Sequence, residues 1–501
     1  MKKLLLAIIA VLSCFAAQAL NWPQIFQPNM MLQQQTEARL WGWAGKGSKV
    51  EVTTSWDNAT YTATADKKTG SWEVRVRTPK ASYDPQTITI KGDGNTVPLT
   101  NVLIGEVWFC SGQSNMEMPL RGFWNCPVEG ALDAIATSGK YHKAIRVATV
   151  AKQAADEPQT QAGVKWQECL PENAGEFSAL GYFFARTLTD LLDVPVGIIN
   201  CSWGGSTVEG WLPREILETY PDGLVPFNDG DWMRKMVMHN GMLAPLAGYT
   251  VKGFLWNQGE SNIGREGMYA ARFSDMVNLW RKLWNDDTLP IYTVELPPYW
   301  YDNAEGTNGP DFRAVQHQIA HTLPHSGCVC TTDLCYPYET KQIHGTKKLE
   351  IGKRMAYMVA ARDYGLTWIH AEAPEFDHAV VTDANPGDAQ YIAGSAVAAN
   401  ANEKGKVVKL YFSNSVDGFD HLENIEGFEA AGSDGSWHKA TVWAESDWSD
   451  PNYQGCFLKL VCPEAGSIKQ IRYNYHNFQT TVCLHNMWGL PVVPFCSEVK
   501  N

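Results

Sequence analysis

No stretch of this 501-residue chain gathers five basic residues, and its 41 Lys and Arg fall short of its 54 Asp and Glu, a formal charge of −13. A surface of that sign repels phosphate, which sets aside nucleic acid and anionic membrane faces as partners. After the first nineteen residues, no segment holds the eighteen or so unbroken apolar residues of a membrane span. Internal repeats and low-complexity linkers are absent as well, so neither a solenoid nor a disordered chain is expected.

What is present describes a packed globular protein, 45% hydrophobic and 19% charged. At ~150 residues per domain the length predicts about three domains. The 20 tryptophans and 19 tyrosines supply rings that stack on sugars or fill cores.

Residues 1–19 read as a secretory signal: Lys2 and Lys3, an apolar run from Leu4 to Ala17, then Ala17-Gln18-Ala19 as a cleavage site. The expectation is a soluble, exported protein, periplasmic or extracellular. Val11-Leu12-Ser13-Cys14 loosely resembles a lipid-attachment box, but Leu12 fits it poorly, so lipoprotein anchoring at Cys14 ranks second. Removing Cys14 leaves eleven of twelve cysteines. In an oxidising compartment that odd number predicts disulfides with at least one free thiol. Cys456 with Cys462, and Cys483 with Cys496, are plausible local pairs.

Three regions follow the signal. Residues 20–101 carry short β-rich runs such as "KVEVTTSW" and "SWEVRVRT" between Gly-, Asp- and Pro-containing turns, the pattern of a β-sandwich. Over 102–365, short apolar runs (194–200, 251–256, 289–296) alternate with helical periodicity at 177–192, 269–284 and 347–364. That alternation predicts an α/β fold with a mostly parallel sheet covered on both faces, whose sites form where strands end. Residues 366–501 return to strands and predict a second sandwich-like region.

Chemistry concentrates at three strand ends. "FCSGQSNMEMPL" (109–120) places Ser114 just past an apolar run. A serine hydroxyl is a weak nucleophile and needs a base and oxyanion donors. "IINCSWGGSTVEGW" (198–211) offers the backbone N–H groups of Gly204 and Gly205, and "FLWNQGESN" (254–262) offers Asn257, Gln258 and Glu260. Singly, each reads as an ordinary turn.

Together, "GQSNM", "NCSWGGSTVEGW" and "WNQGESN", in that order, resemble the conserved blocks of the SGNH hydrolases, and more narrowly the sialate O-acetylesterase family and its bacterial relatives. "IFQPNMMLQQQTEARLWGWA" near the start and "GLPVVPF" near the end resemble that family's flanking segments, so the likeness spans nearly the whole mature chain. It implies a three-layer α/β/α core and hydrolysis of O-acetyl esters on sugars with no cofactor. Ser114 would be the nucleophile, with its own N–H, that of Gly205 and the Asn257 side chain as oxyanion hole. Ser111 would be structural. "QIHGTKKLEIGKRMAYMVAARDYG" (342–365) resembles the family's Ile-His-Pro segment and the helix after it, which nominates His344 as base. Gln113, Gln258, Glu260 and Arg313 would line the pocket or touch substrate, Glu260 by hydrogen bonding to backbone or to Arg313.

Two departures stand out. Gly345 replaces the usual proline, and Gln342 and Lys341 occupy the places where an acidic residue commonly precedes the histidine. Asp333 in "CTTDLCYP" matches a family aspartate and is the first choice of orienting acid. Glu339 is the alternative acid, and a Ser-His dyad oriented by a backbone carbonyl is the reading without one.

No metal is expected. His317 and His321 are spaced like a zincin pair, but the catalytic glutamate of that motif is Gln318 here. The cysteines of "CVCTTDLC" would oxidise before collecting zinc in an exported protein. A glycosidase pairing Glu260 with Glu209 or Asp333 finds no support in the spacing. The resemblance implies O-acetylated sialic acids as the substrate, and acetylated xylan as the alternative because relatives with these blocks also act on acetylated plant polysaccharides. No Arg cluster marks a sialate carboxylate site; Arg121, Arg272 and Arg313 are the single candidates. A non-catalytic glycan-binding protein is the rival from another class. Oligomeric state is not legible.

Overall fold

The computed structural model describes residues 20–227, 230–388, 406–446, 456–479 and 481–499. The signal expected at 1–19 lies outside them. Among the described residues no helix is long and apolar enough to cross a membrane.

The N-terminal strands are β1 (Met31–Gln33), β2 (Glu37–Trp43), β3 (Lys49–Thr54), β4 (Thr60–Thr64), β5 (Ser71–Arg77) and β6 (Ser82–Gly92). β2 and β5 form an antiparallel pair, and β3 joins β4 to β6. In β5, Trp72, Val74 and Val76 alternate inward with exposed polar neighbours, the period-2 signature visible in the sequence.

β7 (Asn95–Gly112) then runs across the boundary expected at residue 102. Its first half pairs with β6, with a register shift near Gln86; from Val102 onward every residue is buried. One strand thus belongs to both regions. It leads into a sheet with β8 (Ile145–Val150), β9 (Val164–Glu168), β10 (Val196–Ser202), β11 (Gly253–Asn257), β12 (Ile291–Val294) and β13 (Ser326–Val329), in the order β13-β12-β11-β7-β10-β8-β9. All neighbours are parallel except β9.

Alternate residues of β7 enter two cores. Trp108 and Cys110 pack with the helices Ala179–Leu192 and Lys348–Asp363. Val107 and Phe109 pack with Glu266–Trp284 and Asn308–Thr322. A mostly parallel sheet between two helical layers results, as the alternating runs predicted. Local chemistry sets the helix ends: Ser178 caps Ala179–Leu192 by accepting from Gly181 N at 3.1 Å, and Asn285 closes Glu266–Trp284 in the left-handed region.

The C-terminal region forms two four-stranded sheets around a shared core of Leu410, Phe428, Leu458, Ile471 and Tyr473. It docks on the central region through Asn477, whose carbonyl accepts from Tyr299 N and whose Oδ1 accepts from Gly309 N.

The cysteine expectation is corrected. All eleven described cysteines are free thiols. Cys456 and Cys462 lie at opposite ends of the strand Cys456–Val461, six residues or ~20 Å apart, far beyond disulfide reach. Cys483 is buried while Cys496 is exposed.

Candidate active site

Three neighbouring strands end together. Gly112, the last residue of β7, stands in register with Ser202 of β10 on one side and Asn257 of β11 on the other. Gly112 has φ +129°, and a Cβ there would lie 2.1 Å from the Asn257 carbonyl oxygen. Only glycine permits this approach, which lets Gln113 N donate to Asn257 O at 2.9 Å.

Ser114 opens a one-turn helix (Ser114–Glu117) directly after this junction. Glu117 Oε2 accepts from Gly204 N at 2.6 Å and holds the glycine turn over the serine; a Cβ on Gly204 would stand 3.3 Å from Ser114 Cβ. Gly205 follows at φ +79° with the Trp232 indole against it. Ser261 Oγ donates to Gly205 O at 2.9 Å, and Gln113 Oε1 accepts from Gly259 N and Ser261 N. The Asn257 residue is buried, and its side-chain amide has no hydrogen-bond partner among the described residues, which leaves it free to donate to a ligand.

Asn115 brings in the fourth segment. Its Nδ2 donates to Glu260 Oε1 at 2.5 Å and to Ile343 O at 3.1 Å, and its Oδ1 accepts from Lys348 Nζ at 2.6 Å. The residue before His344 is therefore tied to the residue after Ser114. His344 and Ser114 make no hydrogen bond to one another, a common state of catalytic pairs without substrate. Burial, with a smaller push from the Lys348 ammonium, lowers the His344 pKa to about 4. Lys348 is itself brought down to about 8 by burial, and burial raises Glu260.

Neither nominated carboxylate reaches His344. Asp333 Oδ1 and Oδ2 accept a bidentate pair from Arg354 at 2.7 and 2.6 Å, and His485 Nε2 lies 3.2 Å from Oδ2. The Arg354 guanidinium and the hydrogen bond from His485 hold the Asp333 carboxyl far below its ordinary value despite burial. Its place in the fold is a bolt between the central and C-terminal regions, and the reading of Asp333 as orienting acid is corrected. Glu339 braces its own loop, accepting from Tyr336 N at 2.7 Å and Thr346 N at 3.1 Å. What faces His344 Nδ1 is Cys126 Sγ, at 3.9 Å. That thiol donates to Gln342 Oε1 (3.2 Å), which also accepts from His344 N (3.3 Å), while Phe123 packs edge-on against the imidazole.

Other expectations are sorted by the same geometry. Glu260 bonds Asn115 rather than Arg313, whose Nη2 donates to His476 O at 3.0 Å. Gln258 is a buried strut between Ser206 O and Asn262 Oδ1. Glu209 and Arg272 form a buried ion pair extended by Asp222, and Arg121 pairs with Glu176 at the surface. His317 and His321 are taken up by carboxylates. His317 Nε2 meets Glu295 at 2.8 Å, and Glu375 faces both rings, His321 Nε2 at 2.6 Å and His317 Nδ1 at 3.9 Å. Glu295 also accepts from Cys330 Sγ, Thr331 N and Thr332 Oγ1. Asn115, Glu117, Cys126, Lys348 and Trp232 were not singled out from sequence; for Asn115 and Glu117, adjacency to Ser114 was the available signal.

The chain is similar to known carbohydrate acetylesterases in sequence and in fold. Residues 104–361 match the family model described as carbohydrate esterase, sialic acid-specific acetylesterase. The human sialate O-acetylesterase is 27% identical over 382 residues, covering 69% of this chain and 71% of the human one. The mouse enzyme is 25% identical over 423 residues, covering 72% and 77%. A carbohydrate acetylesterase from Xanthomonas citri has the same fold with a TM-score of 0.80 and 28% identity, covering 95% of this chain and 99% of that one. The matched span takes in Ser114, the Gly204–Gly205 turn, Asn257 and His344 alike, and the chain belongs to the sialic acid-specific acetylesterase family of carbohydrate esterases.

Proposed function

We propose that this protein is an exported serine esterase of SGNH type that removes acetyl groups from sugar hydroxyls, O-acetylated sialic acids foremost. The observation that carries the assignment of residues is the double tether of Asn115, to Ile343 O and to Glu260, which holds the segments of Ser114, His344 and Asn257 at one sheet edge. Ser114 Oγ attacks the acetyl carbonyl carbon while His344 Nε2 takes its proton. The resulting anion is held by the N–H groups of Ser114 and Gly205 and by the Asn257 amide. The carbon–oxygen bond to the sugar then breaks, and His344 returns the proton to the departing sugar oxygen. Water attacks the acetyl-serine by the same route, releasing acetate and restoring Ser114. The pair works as a dyad, its imidazole faced by the Cys126 thiol, which Gln342 holds, in place of an acid.

Export rests on the leader at 1–19. The remainder divides into an N-terminal β-sandwich (20–101), the hydrolase region (102–365) and a C-terminal β-rich region (366–501). A polymer such as acetylated xylan is favoured as second substrate class by two aromatic side chains. Trp124, 89% exposed, sits two residues from Cys126, and the half-exposed Trp232 covers Gly205; exposed indoles stack on sugar rings.

Acetate release from O-acetylated sialic acid, acetylated xylan and an aryl acetate tests the reading, with Ser114→Ala alongside. Release lost in the variant supports the serine esterase, and the preferred substrate fixes the branch. Equal release by Ser114→Ala rules out this nucleophile, and no release from any of the three favours a glycan-binding protein.

A further inference from the structure

A second cluster lies away from Ser114, where the C-terminal region meets the central one. Residues 419–421 and 485–486 run side by side: Phe419 and Asn486 form a β-bridge, and Asp420 N donates to His485 O at 2.9 Å. The pairing sets three side chains on one point. Asp420 Oδ2 lies 2.6 Å from His421 Nδ1 and 3.2 Å from His485 Nδ1, and the three ligand atoms all fall within 4.8 Å of one another. Asp420 Oδ1 is already held by His485 N at 2.8 Å, which fixes the direction in which Oδ2 points.

We propose that Asp420 Oδ2, His421 Nδ1 and His485 Nδ1 bind a divalent transition metal, zinc by preference, with water completing the coordination. Two imidazoles and one carboxylate are a donor set that suits zinc. The far nitrogen of His485 completes the pattern. Its Nε2 faces Asp333 Oδ2 at 3.2 Å, and Arg354 anchors that carboxylate on both oxygens. A metal-bound histidine that gives its other N–H to an anchored carboxylate is the usual outer support of a zinc site.

A metal on the two Nδ1 lone pairs would leave His485 neutral, with its single proton on the Asp333 side. The groups facing His485 are Asp333 and Arg354 from the central region and Asp420 and His421 from its own. Donors in a tetrahedral zinc shell stand ~3.3 Å apart for bonds of about 2 Å. The His485–Asp420 spacing matches this, and the His421 ring, more than half exposed, has room to open by the remaining fraction of an ångström. Zinc here would lock the 419–421 and 485–486 segments together and, through His485, reinforce the Asp333–Arg354 bolt.

The test uses the full chain freed of metal by chelator dialysis and titrated with zinc alone. One zinc per chain is expected, with a melting midpoint raised by about 3 °C or more at a hundredfold excess over Kd. His421→Ala, a change at an exposed side chain that leaves the Asp333–His485 contact in place, should weaken zinc binding at least ~10-fold and cut the rise by about half or more. Asp420→Asn should also weaken binding. Cobalt in place of zinc should give a spectrum without thiolate charge transfer. Failure of the full chain to take up zinc overturns the proposal. So does uptake unchanged in His421→Ala, which would put the metal elsewhere, or a thiolate–cobalt band, which would put it at a cysteine such as Cys330.

Discussion

The thiol of Cys126 stands 3.9 Å from Nδ1 of His344, where a carboxylate would stand in a charge-oriented triad. A thiol offers an imidazolium little compensation, and burial of His344 is left largely unopposed. The consequence is a proposed base that stays neutral in acid. Activity that needs neutral His344 is nearly full from a pH unit or so above the folded value of about 4 and fades as pH falls through it. The acid limb of kcat/KM on an aryl acetate should therefore bend near pH 4. A bend near 6.5 would mean that an anion reaches the ring.

Placing a carboxylate where the thiol is should reverse this. Cys126→Asp puts an opposite charge beside Nδ1, which favours imidazolium. The acid limb should move up by at least about one pH unit, while Cys126→Ala leaves it within a few tenths. Rate at neutral pH should rise in the aspartate variant if the dyad is limited by orientation. An unmoved limb in Cys126→Asp would show that the Cys126 side chain does not face the base.

Asp333 is expected to matter for stability and not for the acid limb. Removing it strands Arg354 and His485, and breaking a largely buried pair of this kind costs ~3–5 kcal/mol. Asp333→Ala should lower the denaturant midpoint accordingly. Below its unfolding range, kcat/KM should stay within about twofold of wild type with the limb unshifted. A thousandfold loss of kcat in folded protein would restore Asp333 as the acid.

How far the sequence revealed this arrangement depends on the kind of contact. Helix 177–192 was expected from its apolar spacing and spans Ala179–Leu192; strand 251–256 was expected and spans Gly253–Asn257. Periodicity is local, and local signals survive folding. Ser114, Gly204–Gly205 and Asn257 stood out as strand ends rich in small and amide residues, but only the resemblance of the three blocks, taken in order, gave them roles. Asp333 was misjudged for the opposite reason. Its partners Arg354 and His485 lie 21 and 152 residues away, and nothing in "CTTDLCYP" foretells them. The supposed pair Cys456 and Cys462 is close in sequence, but an intervening extended strand holds the two apart. Cys126 was passed over because its relation to His344 spans 218 residues. β7 hid the seam between the first two regions because one eighteen-residue strand crosses it, marked only by a register shift against β6 and by Asn101 in the left-handed region.

Gly205 gives the sharpest check on the proposed oxyanion hole. Its φ of +79° is costly for any L-residue, and a Cβ there would meet Trp232 Cδ1 at 2.7 Å and Nε1 at 3.2 Å. Gly205→Ala must either turn the peptide out of the left-handed region or push the indole aside. Turning the peptide redirects the N–H that is to meet the anion, and loss of one such donor costs ~100–1000-fold in kcat. Pushing the indole aside leaves the donor in place and costs only ~1–2 kcal/mol of strain. Saturation kinetics on an aryl acetate and a thermal melt, measured on Gly205→Ala and on Gly205→Ala with Trp232→Ala, separate the two. A kcat loss that persists when the indole is removed assigns the N–H to catalysis. A kcat restored by Trp232→Ala would mean that Gly205 serves only to make room for the tryptophan.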